Sequence, residues 1–327
     1  MLVALAVGVI VALAAGGGGG GRKATGPPTN STPILAETAA GTVRRTLPAG
    51  TRPNAIAIAG GQVWVTGFLE RSVLRFDVRT GRRRGEVPVP AGTTEMAIGR
   101  GFVWLVNQQR RTVERISVRR ARMVGSPFPV AGSPVTIAVT KTAVWVGSRS
   151  GARSGQRTQL LVKLDPRTGA VVNTVPVRRG VQNLAVGEHA VWVTNRFTPT
   201  VTRVDIRTGA KSIIRVGDGP RGVDVGAGAV WVANEGDGTV SKIDPVLDRA
   251  VAQIDVGLRP RGIAANAHAV WVAGYLASKL ARVDPRRARP VGAAVGTDIN
   301  PFKLALSGRT LWLTATGGDT VQQVTFR

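Results

Sequence analysis

Seven side chains in this sequence are placed to do chemistry: Asn54, Glu95, Asn183, Arg221, Asp224, Arg261 and Lys303. Three are cations, two are carboxylates and two are amides, a set that can hold a polar or anionic ligand. Arginine recognises anions with a fork of donors, but it is neither a useful base nor a metal ligand near neutral pH. The chain has 0 cysteines, which excludes disulfides, thiolate metal sites, cysteine nucleophiles and a lipidated N-terminal cysteine. Its 2 histidines are His189 and His268.

A repeat brings these residues into relation. The 7 tryptophans stand at 64, 104, 145, 192, 231, 271 and 312, and none falls outside the series. Their spacing is about forty residues, the period of a four-stranded propeller blade. Similar text surrounds each one, as in RPNAIAIAGGQVWVTG, GPRGVDVGAGAVWVAN and RPRGIAANAHAVWVAG. Val-rich runs broken by 42 glycines and 19 prolines predict short strands rather than helices. In the first copy the strands are expected at residues 55–59, 63–66 and 72–76. A D-x-R-T-G turn at 77–81, 165–169 and 205–209 then leads into a fourth.

One four-stranded sheet has two apolar faces and cannot bury both alone, whereas copies stacked radially can. The fold class is therefore all-β, a seven-bladed β-propeller over residues 42–327. The last copy, around Trp312, holds only three strands before residue 327, so residues 42–47 are expected to supply the fourth strand of the last blade and close the ring. The residue seven before each tryptophan is alanine in every copy but one, where it is Asp224. These inner positions are crowded. Asp224 reads as a buried acid paired with Arg221 or Arg261, a ligand group on the channel, or a carboxylate bonded to backbone amides.

Counting ten residues back from each tryptophan gives Asn54, Thr94, Val135, Gln182, Arg221, Arg261 and Phe302; Glu95, Asn183 and Lys303 lie one position further on. This ring should surround the channel mouth, the usual functional face of a propeller. Arg221, Arg261 and Lys303 form a basic sector of it. The neighbouring loops add Asn107, Gln108, Arg196, Asn234, Glu235, Asp237 and Tyr275. The interval from Trp145 to Trp192 is longer, and its extra length falls in the basic stretch 148–159, a lid, a contact loop or surface slack. His189 and His268 lie three residues before a tryptophan, in hairpins on the opposite face.

The recurring P-x-x-I-A, V-W-V-[TA]-N and T-V-x-[RK]-[IV]-D-P-x-T-G text resembles the YncE-like (YVTN-repeat) propellers. It is also similar to the streptogramin (virginiamycin B) lyase and NHL-repeat propellers. The resemblance implies an extracytoplasmic domain, in some relatives joined through one helix to an intracellular kinase or regulator. Streptogramin lyases use histidines and a glutamate around a divalent metal. Where that family tends to show Pro-His, this chain carries Pro-Arg at 220–221 and 260–261, so that chemistry does not carry over. A lactonase-type propeller would hold Ca²⁺ with carboxylates and an amide, for which Glu95, Asp224, Asn54 and Asn183 are the available set. The expectation is a non-enzymatic binding or interaction domain without a cofactor. The alternative is a metal-dependent lyase or lactonase with Ca²⁺ or Mg²⁺.

Residues 1–21 begin MLVALAVGVIVALAA and continue as glycine, an apolar anchor or signal-like segment that lacks the usual basic start. It is short for a spanning helix, and a start inside a longer receptor would explain it equally. Residues 22–41 read as a flexible linker. Both explanations put the propeller outside the cytoplasm, membrane-anchored or secreted. The formal net charge is +25, from 44 basic and 19 acidic residues. That charge suits a polyanion partner, through basic loops such as 82–84, 119–122 and 286–289, or reflects a GC-rich coding bias. Nucleic acid is not the expected partner, because nearly every aromatic belongs to the repeat. A small molecule, a protein or a cell-surface polymer is, with the propeller itself a monomer.

Overall fold

The structure is a computed structural model, and it describes residues 40–67, 69–149 and 159–327. The apolar segment 1–21, almost all of the linker and the core of the long loop, 150–158, lie outside the described residues. No helix among the described residues is long and apolar enough to cross a membrane.

Seven antiparallel sheets form the ring. The first blade runs from the channel outward through Pro53–Ala59, Gln62–Gly67, Ser72–Asp77 and Arg83–Pro88. The first three are each a residue or two longer than expected, because backbone pairing continues beyond the apolar run. The last blade is Pro301–Ser307, Thr310–Ala315 and Thr320–Thr325, and its outer strand is Thr42–Pro48 from the other end of the chain. Closure is thus as expected. The outer strands of the second and sixth blades are each broken in two, at Arg122–Met123 and Phe128–Pro129, and at Arg289–Pro290 and Val295–Gly296. Glycines with positive φ interrupt both, Gly125 at 68° and Gly292 at 64°.

The core lies between blades. Trp231 with Val240 and Ile254 of the fifth blade packs on Val270, Val272 and Val283 of the sixth. All seven tryptophans are buried to 1% exposure or less. Each stands opposite the small inner residue seven positions before it, as in Ala57 with Trp64 and Asp224 with Trp231. On its other side it faces a cation on the third strand: Arg75, Arg115, Lys163, Arg203, Lys242 or Arg282, replaced by Gln323 in the last blade.

These cations join neighbouring blades. Lys163 Nζ and Lys242 Nζ each sit 5.3 Å from the centroid of their own tryptophan. Lys242 also donates to Pro285 O of the next blade at 2.9 Å, and Arg115 donates to Pro166 O at 3.1 Å. In the closing blade Gln323 and Trp312 both donate to Val78 O, the matching carbonyl of the first blade. Each cation–π contact is worth about 0.5–1 kcal/mol or more where water is excluded. Part of the basic excess is therefore structural.

The turn aspartates behave as their motif predicts. Asp205 Oδ1 accepts from the amides of Arg207 and Thr208 and from the Thr208 hydroxyl, and Asp77 and Asp165 repeat the pattern. These bonds hold the Asp165 and Asp205 carboxyls below the usual range. In Asp77 the bond from Arg84 leads the same shift.

Candidate functional site

Every innermost strand carries a β-bulge near the channel mouth. In the first blade Pro53 pairs with Gly67 and Ala55 with Thr66, so Asn54 has no partner. Thr94, Val135 and Arg261 are left over in the same way. In the other three blades, two residues face one: Gln182 and Asn183, Arg221 and Gly222, and Phe302 and Lys303. A bulge re-aims the side chain it leaves unpaired. Here it turns one residue of each blade to the mouth, and that residue is the one ten positions before the tryptophan.

All seven of those residues line a single cavity of about 140 Å³, together with Glu95, Asn183, Gly262, Ile263 and Lys303. The structure thus brings together six of the seven expected site residues. A wider cavity of about 490 Å³ lies beside it and shares Asn54, Arg261 and Phe302. Arg52, Leu69, Tyr275 and Thr316 complete its wall.

The basic sector is largely matched by counter-ions. Arg221 Nε bonds Glu235 Oε2 at 2.5 Å, while Arg261 reaches Glu235 Oε1 through Nη2 at 2.6 Å and Nε at 2.8 Å. Burial pushes the Glu235 carboxyl up, but the hydrogen bonds and charges of Arg261 and Arg221 outweigh it and hold the group below the usual range. Burial, together with the nearby charge of Arg261, lowers the Arg221 guanidinium. Its two terminal nitrogens have no protein acceptor among the described residues. Lys303 Nζ pairs with the Glu95 carboxylate. That bond runs from the last blade to the second, past the inner strand of the first, and it braces the floor of the cavity. The site sums to three cations and two carboxylates, with one positive charge left over.

Asp224 lies deeper in the channel, outside the cavity lining, and pairs with neither arginine. Its Oδ1 accepts from Val225 N at 2.9 Å and its Oδ2 from Ala265 N of the next blade at 2.8 Å. Of the alternatives open for it, the structure shows the carboxylate bonded to backbone amides. Burial pushes its pKa up to about 6, against the two amide bonds. Folding then gains stability from the neutral acid below about pH 4 and loses it as pH rises through 6, at roughly 1.4 kcal/mol per pKa unit. Asp224→Ala, which restores the residue of the other blades, removes this dependence. In urea melts its deficit relative to wild type should shrink by about 1–3 kcal/mol between pH 4 and pH 7; the same deficit at both pH values would refute the account.

Other expected neighbours have structural tasks. Asn107 and Asn234 are fully buried and tie down loops: Asn107 donates to Ala91 O, and Asn234 donates to Thr239 and Ser241. Asp237 accepts from Asp218 N, and Gln108 donates to Ser133. Arg196 stays exposed beside Phe197. His189 and His268 are exposed in the far hairpins. The set of seven omitted Glu235 and Tyr275, although both stood among the loop residues. A second count would have found them, since each sits four residues after its tryptophan, in register with the bulge.

Glu95 is taken by Lys303 and Asp224 by amides, and no group of three or more His, Asp or Glu side chains among the described residues could hold an ion.

No family model matches this sequence, and no curated protein matches it. Solved structures do resemble it in fold. Virginiamycin B lyase from Staphylococcus aureus aligns with a TM-score of 0.72 at 16% identity, over 88% of this chain and 100% of that one. A second streptogramin B lyase structure gives 0.73 at 15%, over 88% and 98%. The U3-55K protein gives 0.70 at 13%, over 89% and 99%. A streptogramin lyase and the WD40 repeats of RRP9, which align at a TM-score of 0.69 and 13% identity, share this architecture, so the likeness establishes the seven-bladed propeller fold and leaves function to the residues at its mouth.

Proposed function

We propose that this propeller is a non-enzymatic binding module that works outside the cytoplasm and takes an anionic ligand at its channel mouth. The observation that carries the reading is Arg221. It lines the cavity beside Arg261, shares a single carboxylate with it, and keeps both terminal nitrogens without a protein acceptor among the described residues. A guanidinium half-matched at the edge of a low-dielectric pocket is a preorganised anion receptor. The apolar stretch at residues 1–21 and the linker after it support export; a C-terminal phosphatase fusion that stays inactive would count against it.

The binding test uses acetate and inorganic phosphate as probes, titrated by calorimetry. Arg221→Gln should weaken binding at least tenfold, about 1.4 kcal/mol. Glu235→Gln, which frees both guanidiniums, should tighten it. Far-UV circular dichroism checks that both variants fold. Unchanged affinity in Arg221→Gln would remove the reading.

A further inference from the structure

The well at the mouth holds more than positive charge. Asn54 donates through Nδ2 to Thr94 O at 3.2 Å, but its Oδ1 is buried without a partner. The Thr94 hydroxyl beside it is also buried and unpartnered. Asn54 lines the cavity, and its buried amide oxygen without a partner calls for a donor, while the free end of Arg221 calls for an acceptor. The two demands arise within one cavity of about 140 Å³, so a single small head group that offers both would meet them.

The neighbouring cavity has a different character. Arg261 lies 3.9 Å from the centroid of Tyr275, and Tyr275 meets Phe302 edge to face at 6.0 Å. Leu69 stands on the same wall and is 62% exposed. Tyr275 is the chain's 1 tyrosine, and the repeat does not account for it. Aromatic edges and a guanidinium face favour a flat ring over a branched aliphatic group. Arg261 and Phe302 border both cavities, so a ring held there is continuous with a head group in the well.

We infer that the mouth takes a small aromatic carboxylic acid bearing an N–H or O–H donor beside its carboxylate. The carboxylate meets Arg221, the donor meets Asn54 Oδ1, and the ring lies against Tyr275 and Phe302. The inference rests on the anion-binding reading and adds to it the donor and the ring.

Four probes separate these parts in calorimetric titrations: N-acetyl-L-phenylalanine, its methyl ester, N-acetylglycine without the ring, and 3-phenylpropionate without the donor. N-acetyl-L-phenylalanine should bind one to one and at least tenfold more tightly than each of the others. Tyr275→Ala should reduce it to the level of N-acetylglycine, with far-UV circular dichroism as the check that the variant folds. Equal affinity for N-acetyl-L-phenylalanine and N-acetylglycine would overturn the ring, and equal affinity for 3-phenylpropionate would overturn the donor. If none of the four binds while acetate or phosphate does, the inference falls and the anion reading stands. If no anion binds, both fall.

Discussion

A chain that starts at residue 49 is expected to lose cooperative folding, whereas one that starts at residue 40 keeps it. The segment between them is the outer strand of the last blade. It pairs in antiparallel register with Thr320–Thr325, from Thr42 opposite Thr325 to Pro48 opposite Thr320. Side chains reinforce the pairing: Gln322 donates to the Thr46 hydroxyl at 2.8 Å, Arg44 to the Thr325 hydroxyl at 2.9 Å, and Arg45 to Gln323. Val43 and Leu47 pack against the clusters on either side of the blade.

Without this strand, the edge beside Val321 and Val324, both fully buried in the closed ring, opens to water. Net contributions of about 1 kcal/mol per backbone hydrogen bond, with the apolar burial added, approach the 5–15 kcal/mol total stability of an ordinary domain. An open edge also recruits other chains. Urea unfolding followed by tryptophan fluorescence, with size-exclusion chromatography for aggregation, compares the two chains. Equal midpoints and slopes would show that the ring does not need its closing strand.

The architecture was legible because its signals are local and repeated. Trp192, its alanine seven residues earlier and the Asp205 turn can all be placed by counting, since strand lengths and turns vary little between blades. The mouth was legible for the same reason: counting back ten residues from each tryptophan found the bulged residues, although nothing in the text announces a bulge. Counting cannot reveal which side chains meet across the channel. Lys303 and Glu95 belong to strands at opposite ends of the chain. Arg221 and Arg261 looked like free charge until Glu235, from a loop of the fifth blade, was seen between them. Asp224 shows the same limit, because its partners are backbone amides that every sequence possesses.

The second large effect concerns Lys303 and follows from the asymmetry of buried ion pairs. Glu95 is 9% exposed, and among the described residues its second oxygen accepts only from Met96 N, at 3.2 Å. Lys303→Met therefore strands a carboxylate in a confined cavity, a change that costs about 3–5 kcal/mol in buried pairs. Glu95→Gln leaves an ammonium that can extend toward the open mouth, so it should cost less. Glu95→Gln combined with Lys303→Met removes both charges and should recover most of the stability, because a buried pair replaced as a unit is often close to neutral. A Lys303→Met protein as stable as wild type in urea at pH 7 would mean that the bond across the channel contributes nothing and that the floor of the cavity is held by the bulged strands alone.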